Sequence, residues 1–306
     1  METGVRSKAL EQFQEVTATL INPYVRRWKD QGGKVIGYFC THVPDEVITA
    51  AGMLPFRMRA TGSDGTELSD AYFSSINCSF PRHCFNMALR GEFEALDGLI
   101  VPNSCDHVRR IYDNWKRELQ TGFVEVFSLP KKTGEPQVGW YRDEVRLLIE
   151  KLEKHFGVKI TEESLKKAIK LHNENRRLLR KLYDLRKAEH PPITGAQVLA
   201  VVVAGTAMPR DQYNTMLKEL LNDLEGAPGI EKYRARIMVV GGILDDSEYL
   251  EIIEGQGGLV VTDFLCFGTR LFWADIPVEG DPVEAIARYQ VQLRPTCPRI
   301  YGDQPR

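Results

Sequence analysis

Two cysteines sit where a thiol can do more than fill space. Cys105 lies in Asp97-Gly-Leu-Ile-Val-Pro-Asn-Ser-Cys-Asp106, just past a strand-like run and at the start of a helix. Cys78, in Ser75-Ile-Asn-Cys-Ser79, occupies a similar strand-to-helix position one unit earlier. In open α/β sheets, ligands gather beyond the carboxyl ends of the strands. Unpaired N–H groups and the positive end of a helix favour a thiolate at such a position. Two thiolates on adjacent turns that face one crevice suit an anionic iron–sulfur cluster, although such clusters normally take four ligands. Free cysteines are also commonly buried as small apolar residues, and spacing alone leaves both readings open.

The remaining cysteines are at 40, 84, 266 and 297. The six together are too dispersed for the paired C-x-x-C knuckles of a zinc ribbon, and a chain without an export signal is not expected to carry a disulfide framework. Cys40 and Cys84 read as packing residues, with Cys84 turned away from the crevice on the helix that follows Cys78. Glu46 falls in the first turn of a helix after the first strand. There it complements the helix dipole, or it handles protons or orients a substrate beside the crevice. His42 and His107 flank the same turns, where hydrogen-bonded structural roles compete with catalytic ones. Arg82, Arg109, Arg110 and Lys116 follow the two cysteines on helices, and Arg270 follows Gly268-Thr269. Each is either a solvated or structural charge or a contact to an anion, for which arginine offers bidentate geometry.

Several chemistries have no motif to carry them. There is no G-x-x-x-x-G-K-[ST], so nucleotide binding or hydrolysis by this chain is not expected, and no strand-linked G-x-G-x-x-G supports a nicotinamide site. G-x-S-x-G and H-E-x-x-H are absent as well. With 40 basic and 42 acidic residues and a formal net charge of −2, the chain has no bulk charge that would attract nucleic acid. Its longest apolar run, Val198–Gly205, has a length suited to a buried strand and too short for a membrane span. No signal segment is evident at the start, which places the chain in the cytoplasm by default.

The elements that must position these residues alternate. The opening to about Lys29 reads as one amphipathic helix, with Leu10, Phe13, Val16, Leu20 and Tyr24 towards one side. Strand-like runs at Lys34–Cys40, Leu54–Met58, Asp97–Val101 and Phe123–Leu129 are separated by helices beginning near Pro44, Ser79 and Cys105, and a helix over Val138–Phe156 follows. Strand alternating with helix means βαβ units and a mostly parallel sheet. Thr161–Glu189 reads as one long charged helix, polar enough to be a surface spacer. Beyond it lie helices from about Gly195 through the Val201 region and over Asp211–Leu224. Then come strand Ala235–Val240, helix Ser247–Glu254, strand Gly258–Val261 and helix Pro282–Tyr289. The expected fold is α/β, with two Rossmann-like (flavodoxin-like) parallel-sheet domains. The expected organisation is an N-terminal helix over 1–30, a first domain carrying Cys78 and Cys105 over 31–160, a helical spacer over 161–192, and a second domain over 193–306. Only two clear strands precede the Cys297-Pro298 turn and Arg306, so the second domain is expected to be short.

Four segments in register resemble the 2-hydroxyacyl-CoA dehydratase and benzoyl-CoA reductase family. They are Gly37-Tyr-Phe-Cys-Thr-His-Val-Pro-Asp-Glu-Val-Ile-Thr-Ala-Ala-Gly-Met-Leu-Pro55, Asn77-Cys-Ser79, Asp97–Asp106 and Val261-Thr-Asp-Phe-Leu-Cys-Phe-Gly-Thr-Arg270. The first is closer to the smaller beta-type, D-component-like subunit. The resemblance implies two Rossmann-like halves with a [4Fe-4S] cluster held by three cysteines and one open iron. Cys78 and Cys105 match the first two ligands. The third is expected on a later strand-to-helix turn, which in this chain falls beyond Arg306 or is absent. Cys266 matches the Asp-x-x-Cys-x-Gly-x-Arg segment rather than a ligand position, and Cys297 is a late alternative. Also implied are low-potential one-electron chemistry on an acyl-CoA thioester, a homologous second subunit, and a separate ATP-hydrolysing iron–sulfur activator. A double-cubane type reductase of small molecules is the alternative within the family. A cofactor-free α/β scaffold or partner-binding subunit is the alternative outside it.

Overall fold

The computed structural model describes residues 7–295 and 297. The end of the second expected domain, 298–306, and the first residues of the expected N-terminal helix lie outside that range. The chain forms two compact units, one from the described part of Met1–Tyr24 with Asn173–Asp275, the other from Val25–His172 with the described part of Ile276–Arg306. The fold is mixed α/β with two parallel sheets. No described helix is long and apolar enough to cross a membrane.

The unit that carries Cys78 and Cys105 is built on four parallel strands: β1 (Val35–Tyr38), β2 (Leu54–Arg57), β3 (Gly98–Pro102) and β4 (Phe123–Phe127), in the order β2-β1-β3-β4. The strands are short, and all residues of β1, β2 and β3 are buried, as parallel strands covered on both faces require. Since the order reverses between β1 and β3, the carboxyl ends of these neighbours open onto a switch point where ligands commonly bind. The connecting helices are α3 (Asp45–Ala50), α4 (Ser79–Leu89) and α5 (Asp106–Glu118). Helices α4 and α5 meet through Phe85 and Trp115, whose rings lie 6.4 Å apart. Helices α6 (Glu135–Phe156) and α11 (Pro282–Arg288) complete this unit, joined by a bidentate pair from Arg288 to Glu135.

The other unit holds the second sheet, β5 (Ala235–Val240) beside β6 (Gly258–Phe264). Packed there are α1 (Lys8–Ala18), α8 (Gly195–Ala204), α9 (Arg210–Leu224) and α10 (Glu248–Gly255). The helix expected from about Gly195 is α8, and it takes in the apolar run Val198–Gly205 up to its C-terminal end. Local chemistry decides this: Thr194 and Gln197 form a reciprocal capping box that starts a helix just before the run.

The opening segment is two helices rather than one. After α1, the chain breaks at 19–22 and restarts as α2 (Pro23–Asp30). Pro23 has no N–H to continue the first helix and disfavours helical geometry at Asn22. Asn22 then uses both ends of its amide, donating to the Ala207 carbonyl and accepting from the Tyr24 N–H. The long charged helix is α7 (Glu162–Leu185). It is not solvated all round: Leu165, Ala168, Ile169, Leu178, Leu179 and Leu182 are buried.

Asp97, at the threshold of β3, has a measurable job. Its carboxylate accepts from the Val35 N–H at 2.9 Å, from Lys29 Nζ at 2.6 Å and from Lys34 Nζ at 3.1 Å. Burial pushes its pKa up, but the bonds from Lys29, Val35 and Lys34 outweigh this and hold it below the ordinary aspartate value. A depressed folded-state pKa stabilises the fold above the unfolded-state value, about 4, and that contribution is lost as pH falls through the folded value. Asp97→Asn is therefore expected to lower the urea midpoint at neutral pH, with the deficit against wild type shrinking below about pH 4. A deficit that is constant with pH would show that the charge of Asp97 is not what stabilises this corner.

Candidate functional site

Cys78 and Cys105 occupy the same position in two consecutive helices. Each is the residue immediately before the first helical turn, Cys78 for α4 and Cys105 for α5. A side-chain oxygen commonly caps such a position, yet neither thiol makes a capping hydrogen bond. Cys78 is exposed and Cys105 half-buried. Both helices therefore begin without a side-chain cap, at cysteines that solvent, or a ligand, can reach.

The two turns are held differently. The turn before Cys105 is fixed to the end of β4: the Asn103 N–H donates to the Phe127 carbonyl and Asn103 Oδ1 accepts from the Leu129 N–H. Lys131 Nζ donates to the carbonyls of Asn103 and Ser104, at 2.8 and 3.0 Å. The turn before Cys78 is more exposed, with Ile76 86 % accessible, and its link to the other turn is His107. Nδ1 of His107 lies 3.0 Å from Asn77 Oδ1 and 3.3 Å from the backbone N of Cys78. The structure therefore brings the Cys78 turn beside the first turn of α5.

The other cysteines are placed apart from this pair in kind. Cys84 is fully buried inside α4, as expected of a packing residue. Cys40 is only half-buried, and it adopts φ 65°, which no other described non-glycine residue does. Its side chain is thus not simple core filler, and it sits just past the carboxyl end of β1. Cys266 is buried with its sulfur 3.4 Å from Arg270 Nη1, and Cys297 is buried.

Among the charged candidates, Arg109 is exposed and pairs with Asp106 at 3.4 Å on its own helix. Arg82 is held by Asp70 at 2.5 Å, an ion pair that pulls the pKa of Asp70 below its usual value. Lys116 donates to the hydroxyl of Tyr112. Arg270 is buried, donates to the Gly241 carbonyl and lies over the Phe264 ring. It is thereby engaged within the fold.

Glu46 lies in the first turn of α3 but is wholly buried. With Asp45 and His172 it places three ligand-type atoms within 4.8 Å of one another, and this is the single such trio among the described residues. His172 Nδ1 is 3.6 Å from Asp45 and 3.9 Å from Glu46, while its Nε2 bonds Thr49 Oγ1 at 2.9 Å. Oxygen and imidazole donors of this kind are unlike the thiolates an iron–sulfur cluster takes. Nearby, burial and then the negative charge of Glu46 push the Tyr141 phenol well up, while its hydroxyl donates to the His42 carbonyl at 2.6 Å. His172 and Lys131 carried no signal in the sequence: one lies in a long charged helix, the other in a loop, and only the folded chain brings them here.

The family model described as 2-hydroxyglutaryl-CoA dehydratase, D-component, matches residues 40–306. The chain belongs to the 2-hydroxyglutaryl-CoA dehydratase D-component family. It is similar to a benzoyl-CoA reductase subunit of Thauera aromatica, 31 % identical over 289 residues, which covers 92 % of this chain and 73 % of that one. It is also similar to the (R)-2-hydroxyglutaryl-CoA dehydratase beta subunit of Acidaminococcus fermentans, 28 % identical over 90 % of this chain and 73 % of the relative. The (R)-phenyllactyl-CoA dehydratase beta subunit of Clostridium sporogenes is 26 % identical, over 92 % and 75 % respectively. The matched region of this D-component family member includes all six cysteines, Glu46 and Arg270.

Proposed function

We propose that this chain is an iron–sulfur subunit of an acyl-CoA enzyme of the dehydratase or benzoyl-CoA reductase type, with Cys78 and Cys105 as ligands of a [4Fe-4S] cluster. The observation that carries the reading is the pair of uncapped thiols at the starts of α4 and α5, their turns joined by His107. Family membership and the names of the relatives, reductase and dehydratase subunits, favour this over a cofactor-free scaffold. They also favour work in a complex with a homologous second subunit. The strand order β2-β1-β3-β4 supports a Rossmann-like first half, and the β5–β6 pair the beginning of a second.

The donor set fits two ligands of such a cluster. Of the remaining described cysteines, Cys84, Cys266 and Cys297 are buried and Cys40 is half-buried, and the third ligand is not proposed among them. The bound cluster would supply low-potential one-electron transfer, with electrons from a separate ATP-dependent activator, since this chain has no phosphate-binding loop of its own. The protein's part would be to keep the two thiolates at the N-terminal, positive ends of α4 and α5 and to hold the Cys105 turn through Lys131. Arg109, on the exposed face of α5, is the better placed anion contact, because Arg270 is buried. Glu46, wholly buried with His172 as its neighbour, is by the same measure proposed for proton handling rather than for contact with a thioester.

Anaerobic purification with iron and sulfide counts tests this. Wild type is expected to hold about four irons and four sulfides per chain, as one cubane requires, and Cys78→Ala and Cys105→Ala are each expected to lose them. A colourless wild type without iron, even after reconstitution, would overturn the reading and leave the scaffold.

A further inference from the structure

We propose that His107 is a positioning residue that clasps the Cys78 turn to the Cys105 helix through its Nδ1 atom; this rests on the reading of both cysteines as ligands. The two turns are unequal. Hydrogen bonds involving Asn103 and Lys131 pin the Cys105 turn to the β4 end of the sheet. The Cys78 turn is exposed at Ser74, Ser75, Ile76, Cys78 and Ser79, and half-buried Asn77 is its inward side chain. Half-buried His107, two residues past Cys105, faces that inward point, with Nδ1 at hydrogen-bonding distance from both Asn77 Oδ1 and the Cys78 N–H. One ring nitrogen cannot serve both at once. Without a proton it accepts from the Cys78 N–H, and with one it donates to Asn77 Oδ1. Either bond ties the Cys78 turn to the first turn of α5, so the clasp does not depend on which is made.

The consequence is directional. Losing the clasp frees the Cys78 turn and leaves the Cys105 turn in place. A ligand turn that is not held binds its metal more loosely, since outer contacts that orient ligands are typically worth about 10–100-fold in affinity. The identity of the nitrogen makes the idea sharp. Asparagine places its amide atoms, like histidine Nδ1, one bond beyond Cγ, whereas glutamine reaches further, to the region of Nε2. His107→Asn should therefore preserve the clasp, and His107→Ala and His107→Gln should break it.

The test uses the full-length chain in two states. In cluster-free protein, deuterium uptake is followed in peptides covering 74–80 and 100–106. In reconstituted protein, loss of the cluster's visible absorbance to an iron chelator is timed. His107→Ala and His107→Gln are expected to raise uptake over 74–80 but not over 100–106, and to bleach about 10-fold faster than wild type, with His107→Asn restored in both. Unchanged uptake over 74–80 in His107→Ala, an equal rise in both peptides, or bleaching of His107→Asn as fast as His107→Ala would overturn the proposal. If wild type takes up no iron, the ligand reading fails by itself, and the exchange measurement alone decides the clasp.

Discussion

Glu254→Ala is expected to cost the β5–β6 unit about 3–5 kcal/mol, a large part of the stability of an ordinary domain. Glu254 lies in the last turn of α10 and is buried at 4 % exposure. Its Oε1 accepts from the Gly195 N–H at 2.7 Å and the Val260 N–H at 3.2 Å, and its Oε2 from the Ala196 N–H at 3.2 Å. Gly195 and Ala196 open α8, whose next N–H, that of Gln197, is satisfied by Thr194. One carboxylate thus serves the first two donors of a buried helix, complements its dipole and fixes β6 against it. Alanine would strand three backbone donors away from water, each at roughly 1–3 kcal/mol, with partial relief if water enters the space. Glu254→Gln keeps one acceptor but turns an amide donor towards an N–H, so its loss should fall between wild type and alanine. Exposed Glu251, one turn earlier on α10, is the control, with Glu251→Ala expected within about 0.5 kcal/mol. Urea unfolding of the three variants checks the order. Equal effects at 251 and 254 would remove the buried carboxylate from the account.

Why Glu254 had no sequence signature explains what was legible and what was not. Strand–helix alternation is a local signal, and β1 to β5 emerged within a few residues of where side-chain periodicity put them. The cysteine positions were legible for the same reason: the start of a helix is announced by its own neighbours, and Cys78 and Cys105 directly precede theirs. Contacts made across long separations in the chain leave no such trace. Glu254 reaches Gly195, His172 reaches Glu46, and Lys131 reaches Ser104; each looks locally like one more charge on a solvated face. The same limit produced one of the two errors, and the other was local. A polar helix such as α7 is legible as a helix, but which of its faces is buried depends on partners distant in sequence. The single opening helix failed at Pro23, a local breaker outweighed by a run of helical spacing that continued past it.

The segment Val261–Arg270, part of the resemblance to acyl-CoA enzymes, is the place where a motif and a packing constraint can be told apart. Asp263 is buried, and its Oδ1 accepts from the N–H groups of Leu265 and Thr269. Its Oδ2 accepts from the Tyr183 hydroxyl, whose pKa is pushed well up by burial and then by the Asp263 charge. Thr269 Oγ1 returns a bond to the Asp263 carbonyl, and Arg270 reaches the Gly241 carbonyl just past β5. The motif therefore ties the carboxyl ends of β5 and β6 together, with Gly268 in the middle. A Cβ on Gly268 would lie 1.9 Å from Asp263 Oδ1. The backbone there, at φ −160°, is one that any residue can adopt, so the constraint is contact rather than strain. Gly268→Ala should cost about 3 kcal/mol by overpacking, and Asp263→Ala about 2–4 kcal/mol through orphaned donors. The double variant is the informative one. Once Asp263 is alanine, the oxygen that the new Cβ would meet is gone, so the two costs should overlap by about 1–3 kcal/mol. Denaturant unfolding of the four proteins gives that coupling directly. Additivity within about 0.5 kcal/mol would mean that Gly268 is required for something other than Asp263, and would move the explanation of this motif from packing to a ligand.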